Sequence, residues 1–141
     1  MKIYVAAGWF TPEQEKARLD ILECCNTAGI QVYSPKDDMP YIPGSTTPVK
    51  VFLENIRQIT QCTAVVASTV GKDMGTIFEC GYSYSLGLHI IYYYPSSAPF
   101  NLMLAASACA VCTTKDELQR YMEMVITKGY FPVLPYKKEV E

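Results

Sequence analysis

Apolar and polar positions along the chain fall into two rhythms that alternate. Short, largely apolar runs stand at Ile3–Ala7, Ile30–Tyr33, Ala64–Ala67, His89–Tyr94 and Cys109–Cys112. Runs of this kind predict strands buried on both faces, as in a parallel sheet. Between them the apolar positions recur at helical spacing. Ala17, Ile21, Cys24, Cys25 and Ala28 mark a first helix, introduced by Thr11-Pro12-Glu13-Gln14 as N-cap and first turn, with Gly29 placed to end it. Val49, Phe52, Ile56 and Ile59 mark a second over about 49–61, and a third runs from about Gly75 to Leu86 with Gly87 as its stop. A short helix is predicted over 101–108. A last one, reaching about Lys128, is capped by Thr114 with a capping box completed by Glu117.

Residues 34–48 are rich in Pro, Asp, Gly, Ser and Thr and read as a loop, longer than connections usually are and therefore a functional candidate. Residues 68–73 form another loop, and the tail after Lys128 is irregular and aromatic. Strand and helix alternate throughout, so the expected fold is a single α/β domain over 1–141. It is a flavodoxin-like, doubly wound, parallel five-stranded sheet with helices on both faces. Ligands in such sheets bind beyond the carboxyl ends of the strands. The segments 7–12, 34–48 and 68–75 should therefore line the site.

Composition narrows the partners. The 141 residues are 50% hydrophobic and 18% charged, with a formal net charge of −2 and no basic cluster beyond the pair Lys137-Lys138. Nucleic acid is not the expected partner, and no apolar stretch approaches the length of a membrane span. The N-terminus reads as a buried strand, not a signal peptide, so a cytosolic protein is expected. Cysteines 24, 25, 62, 80, 109 and 112 fall in core-forming segments and read as buried reduced thiols. Cys109-Ala-Val-Cys112 lacks a second pair or a neighbouring His, so no metal is expected. There is no Gly-rich dinucleotide fingerprint after the first strand, and Gly71-Lys-Asp-Met-Gly75 is not a phosphate-binding P-loop. The single His89 starts a strand and reads as structural.

Glu79 is the first candidate for chemistry. It lies about one turn into the helix after the third strand, where the amino end is expected to hold it ionised, between Gly75 and Gly81. A poised carboxylate can attack a sugar carbon, although a dipole-favoured surface Glu would look the same in sequence. Asp73, six residues earlier, could share acid–base duties or simply cap the helix. Trp9 and Phe10 follow Gly8 at the end of the first strand, where they could stack on a planar base or plug the sheet end. Tyr4 lies in the first strand.

These residues, in this order, resemble the nucleoside 2-deoxyribosyltransferases. The matching pieces are Tyr4 with Gly8-Trp9-Phe10-Thr11, Asp73-x-Gly75-Thr76-x-x-Glu79-x-Gly81, Gly87, and Asn101-Leu102-Met103. The resemblance implies exchange of the base of a 2′-deoxynucleoside with retention, through a deoxyribosyl intermediate on Glu79. It gives Tyr4 the task of orienting that carboxylate and Asp73 a contact to sugar or base with proton transfer. Trp9 and Phe10 would wall the base. Asn101 and Met103 would reach a neighbouring subunit's site near the 5′-hydroxyl, in a dimer-based homo-oligomer that can be hexameric. No cofactor is implied. Two departures stand out. Asn55 replaces the family's usual Asp, leaving Glu54 or Asp73 to substitute. Asp38 or Met39 falls where some members have a base-reading Gln. Hydrolysis of the N-glycosidic bond of a deoxynucleoside or its 5′-monophosphate, and non-catalytic nucleoside binding, are the competing readings. The neutral Gly8-Trp9-Phe10 loop favours a nucleoside over a phosphate-bearing substrate.

Overall fold

The computed structural model describes all 141 residues. Five strands, β1 (Lys2–Ala7), β2 (Gln31–Tyr33), β3 (Ala64–Ser68), β4 (His89–Tyr93) and β5 (Ala110–Cys112), form one all-parallel sheet in the order β2-β1-β3-β4-β5. The doubly wound architecture expected from the apolar rhythm is therefore present. Helices α1 (Pro12–Thr27), α2 (Pro35–Asp38), α3 (Pro48–Thr60), α4 (Met74–Ser85) and α5 (Leu102–Ser107) connect the strands, and α6 (Lys115–Lys128) follows the last. No helix is long and apolar enough to cross a membrane.

Side chains alternate across each strand, and this divides the core in two. Ile3, Val5, Val66 and Ile91 point to one face, packed with Ile21, Cys24 and Cys25 of α1 and Leu118, Met122 and Val125 of α6. Tyr4, Ala6, Val65 and Tyr92 point to the other, packed with Ile59 of α3 and Cys80 of α4. The switch in winding direction falls between β1 and β3, which pair from Ile3–Ala64 through Ala7–Ser68.

Three details depart from the sequence reading. The segment 34–48 is not wholly irregular: Pro35 starts the short helix α2, and Ser34's backbone N–H donates to Asp38 Oδ2 at 2.7 Å. A 3-10 turn, Val70–Lys72, precedes α4, with Gly71 and Lys72 both in the left-handed region at φ 73° and 54°. Thr114 caps α6, but Glu117 completes no box there. Its carboxylate takes the N–H of Thr113 at 2.6 Å, one residue too early. The complete capping box is on α1, between Thr11 and Gln14.

Candidate active site

Tyr4 is fully buried in the middle of the sheet, in register between Tyr33 of β2 and Val65 of β3. Its ring stacks on that of Tyr33, with centroids 5.5 Å apart and planes 29° apart. Tyr33 in turn donates its hydroxyl to Asn55 Oδ1 of α3 at 2.9 Å. The amide nitrogen of Asn55 is left to serve something else.

Opposite this group stands α4. Asp73 is its N-cap, and Asp73 Oδ2 accepts from the backbone N–H of Thr76 at 2.9 Å and from its hydroxyl at 2.8 Å. The capping reading of Asp73 is thus realised, which does not exclude a second task for its other oxygen. Glu79 is a turn and a half further on. Of all buried side-chain nitrogens and oxygens, two lack a hydrogen-bond partner: Tyr4 Oη and Glu79 Oε2. Glu79 as a residue keeps some exposure, but its Oε2 is sealed. The two groups feel each other: the phenol lowers the carboxyl's pKa, and the carboxylate adds to the burial that drives the phenol's far up. Their mutual geometry nevertheless falls short of a formed hydrogen bond.

Burial decides the charge of Glu79. Desolvation outweighs the help from Tyr4, the charge of Asp73 adds to it, and the pKa rises to about 7. Burial thus opposes the ionisation expected from the helix position and leaves the carboxyl poised near neutral pH. The helix dipole acts within the first turn, and Glu79 lies beyond it.

Glu54, one of two proposed substitutes for the family's Asp, is already committed. Arg57 holds it at 2.6 and 2.8 Å and Gln58 at 2.8 Å, and these bonds lower its pKa to about 2. It is no proton donor at neutral pH.

Gly8 is buried, whereas Phe10 is 72% exposed and lies beside Trp9 with ring centroids 5.1 Å apart. Asn101 caps α5 through the N–H of Leu104, and Met103 is 73% exposed. Both border a hollow of about 460 Å³ with Lys72, Ile77 and Phe100. A second hollow of about 660 Å³ lies between α1 and the 69–72 turn, beside Lys16, Asp20 and Tyr94. Tyr4 and Glu79 line neither. Within one chain, Tyr4, Asp73 and Glu79 come together, with Tyr33 and Asn55 beside them. Asn101 and Met103 do not join them.

Nothing in the sequence distinguishes Tyr33 from ten other tyrosines. In the sequence, Gln14 marks only part of a helix start. Its side chain is 5% exposed and accepts from the N–H groups of Phe10 and Thr11 at 2.9 and 3.2 Å. His89 starts β4 at the amino end of the sheet, stacked on Phe131 at 4.6 Å.

The family profile described as Nucleoside 2-deoxyribosyltransferase matches residues 3–138. The chain belongs to the nucleoside 2-deoxyribosyltransferase family. Among solved structures it is similar to a 2-deoxyribosyltransferase from Bacillus psychrosaccharolyticus, at 25% identity and a TM-score of 0.83, over 97% of this chain and 100% of that one. It shares its fold with the 2-desoxiribosyltransferase of Leishmania mexicana, at 22% identity and TM-score 0.66, over 86% of this chain and 97% of that one. It also shares it with the CMP N-glycosidase BcmB of Clostridium botulinum, at 15% identity and TM-score 0.63, over 88% and 98% of the two chains. No curated protein sequence matches. Membership of this family makes the chain a deoxyribosyltransferase-type enzyme, with chemistry at the bond between a sugar and a base.

Proposed function

We propose that the protein moves a 2-deoxyribosyl group from one nucleobase to another through a covalent intermediate on Glu79. The observation that carries this reading is the pair of unpartnered buried oxygens, Tyr4 Oη and Glu79 Oε2. An orphaned buried carboxyl and phenol represent unused hydrogen-bonding capacity, at a place where a developing positive charge would be welcome.

In the first half-reaction the ionised Glu79 attacks C1′ of the deoxynucleoside. The C1′–N bond breaks, its electron pair stays on the base nitrogen, and the base leaves with a proton. In the second, another base nitrogen attacks C1′ from the side the first base left, gives up its proton, and frees the carboxylate. Two inversions give net retention. Tyr4 orients the carboxylate by donating its hydroxyl. Asp73 serves sugar or base through the oxygen that does not cap α4. Asn55, whose carbonyl is taken by Tyr33, offers its NH2 to an acceptor on the base edge. It holds the base but cannot protonate it, so proton delivery falls to Asp73 or to the base's own solvent-exchanged proton. Trp9 and Phe10 wall the base, Gly8 lets their loop close on its support, and Gly75 keeps the approach open.

The same reading makes the assembly homo-oligomeric, with Asn101 and Met103 completing a neighbour's site. Exposed Phe52, Leu53, Met74, Phe78 and Tyr84 on α3 and α4 support an extensive contact there.

The test is incubation with 2′-deoxyinosine, with and without adenine, followed by chromatography. The expected result is 2′-deoxyadenosine formed only when adenine is supplied. Hypoxanthine and free deoxyribose released regardless of adenine would assign hydrolysis instead, and no turnover would leave a binding domain.

A further inference from the structure

In doubly wound sheets the crevice at the switch in winding, here between the carboxyl ends of β1 and β3, is where a ligand customarily sits. In this protein a side chain fills it. Gln14 reaches in from the first turn of α1, is 5% exposed, and lies against the backbone of both loops that leave the crevice. Its Oε1 accepts from Phe10 N–H at 2.9 Å and Thr11 N–H at 3.2 Å. On the side of the first loop, a Cβ at Gly8 would come within 2.8 Å of the Gln14 carboxamide carbon. On the other, a Cβ at Gly71 would come within 2.5 Å of Nε2. Gly71 also stands at φ 73°, in the left-handed region that favours glycine. Both loops are thus glycine where they meet the amide.

We propose that Gln14 is a positioning residue for the base site: one carboxamide fixes the 8–11 loop, with Trp9 and Phe10, against the 69–72 turn that leads into α4. Its catalytic consequence rests on the reading of Trp9 and Phe10 as the base wall. Its structural core does not. Phe10 is 72% exposed, so packing alone does not hold that ring in place. The backbone bonds to Gln14 fix the loop that carries it. A wall ordered before the base arrives binds it with less loss of freedom, and it keeps water from the sugar carbon while the site waits for the second base.

Trp9 is the chain's single tryptophan, so its fluorescence reports this loop and nothing else. Gln14→Met retains the bulk of the side chain and removes the acceptor. Gln14→Glu retains an acceptor for both N–H groups. With Met, acrylamide quenching of Trp9 should rise about threefold as the loop opens locally. KM for the acceptor base should rise about tenfold, the scale of one or two hydrogen bonds, while kcat stays within about twofold and hydrolysis gains on transfer. Glu should restore both quenching and KM. Unchanged quenching in Gln14→Met, or a rise that Glu fails to reverse, overturns the proposal whatever the activity. A lowered kcat with unchanged KM overturns its catalytic part. If the wild-type protein proves inactive, the quenching arm still decides. If Gln14→Met does not fold, amide exchange in the wild-type protein decides: slow exchange at Phe10 and Thr11 supports the pin, and exchange at the rate of free loops overturns it.

Discussion

The two faces of the sheet are built on opposite plans. The face under α1 and α6 is closed on itself. Ile3, Val5, Ile21, Val66, Ile91 and Leu118 are nearly or wholly removed from water. Its tyrosine hydroxyls are matched, Tyr121 to the carbonyl of Pro132 and Tyr93 to Asp20, each at 2.8 Å, and Asp20 is matched again to Lys16 and Lys115. The face under α3 and α4 is left open in two senses. Inside, Tyr4 and Glu79 are buried without partners. Outside, Phe52 and Phe78 lie 5.8 Å apart and stay half exposed, while Met74 is 82% exposed. One face commits its interactions to stability. The other withholds them, as expected where strain and unmet polarity serve chemistry. Stability and function can therefore be perturbed separately here, by choice of face.

The largest effect expected is at Glu79. Glu79→Gln should lower kcat by about 10⁴-fold or more, the scale for loss of a covalent nucleophile, and mass spectrometry of the wild-type protein under turnover should find the sugar adduct at this residue. The same variant should be more stable than the wild type at alkaline pH. The folded pKa of about 7 lies above the ordinary 4.5. The folded state therefore holds the proton more tightly, and stability falls as pH rises from about 4.5 to about 7. The loss is on the order of 2 kcal/mol, allowing for the residue's partial exposure. Thermal unfolding should show Glu79→Gln melting above the wild type at about pH 8 and level with it at about pH 4. Equal melting at both would remove the buried-charge account.

Next in size is Ile21→Ala on the closed face. A fully buried side chain cut back to Ala costs about 2–5 kcal/mol of stability in denaturant unfolding, while kcat per folded molecule should not change. A large kcat effect there would blur the division between the faces.

The smallest effects sharpen it most, because they make one change on each side. Tyr93→Phe should cost about 1 kcal/mol, the net value of its bond to Asp20, with no change in the pH profile. Tyr4→Phe removes no formed hydrogen bond, so its stability cost should be smaller. It does remove the group that pulls Glu79's pKa down. The acid limb of kcat/KM, expected near pH 7 in the wild type, should therefore move to higher pH. A Tyr4→Phe profile superimposed on the wild type would separate the phenol from the carboxyl.

Local rules carried most of the fold. The unbroken runs such as Ala64–Ala67 could only be strands buried on two sides, and Gly29 and Gly87, both at positive φ, end their helices where the pattern stops. The site was legible to the extent that it hung on type and order: Glu79, Asp73 and Tyr4 do converge. What escaped was whatever depends on long-range geometry. The pairing of Tyr33 with Asn55 joins residues 22 apart in sequence. The clamp of Arg18 on Glu15, Ser34 and Asp37, which ties α1 to α2, has no local signature. The upward shift of Glu79 is hidden for a related reason. The helix position is a sequence property, whereas the desolvation that opposes it belongs to the assembled sheet.

Gln14, Gly8 and Gly71 form a lock of three parts. A methyl added at either glycine would push the flexible end of the glutamine out of place, so a larger residue there disturbs the amide's two bonds to the 8–11 loop. Substitution at these three places should be correlated in any lineage that keeps this backbone, and a redesign that widens the crevice must begin with the glutamine.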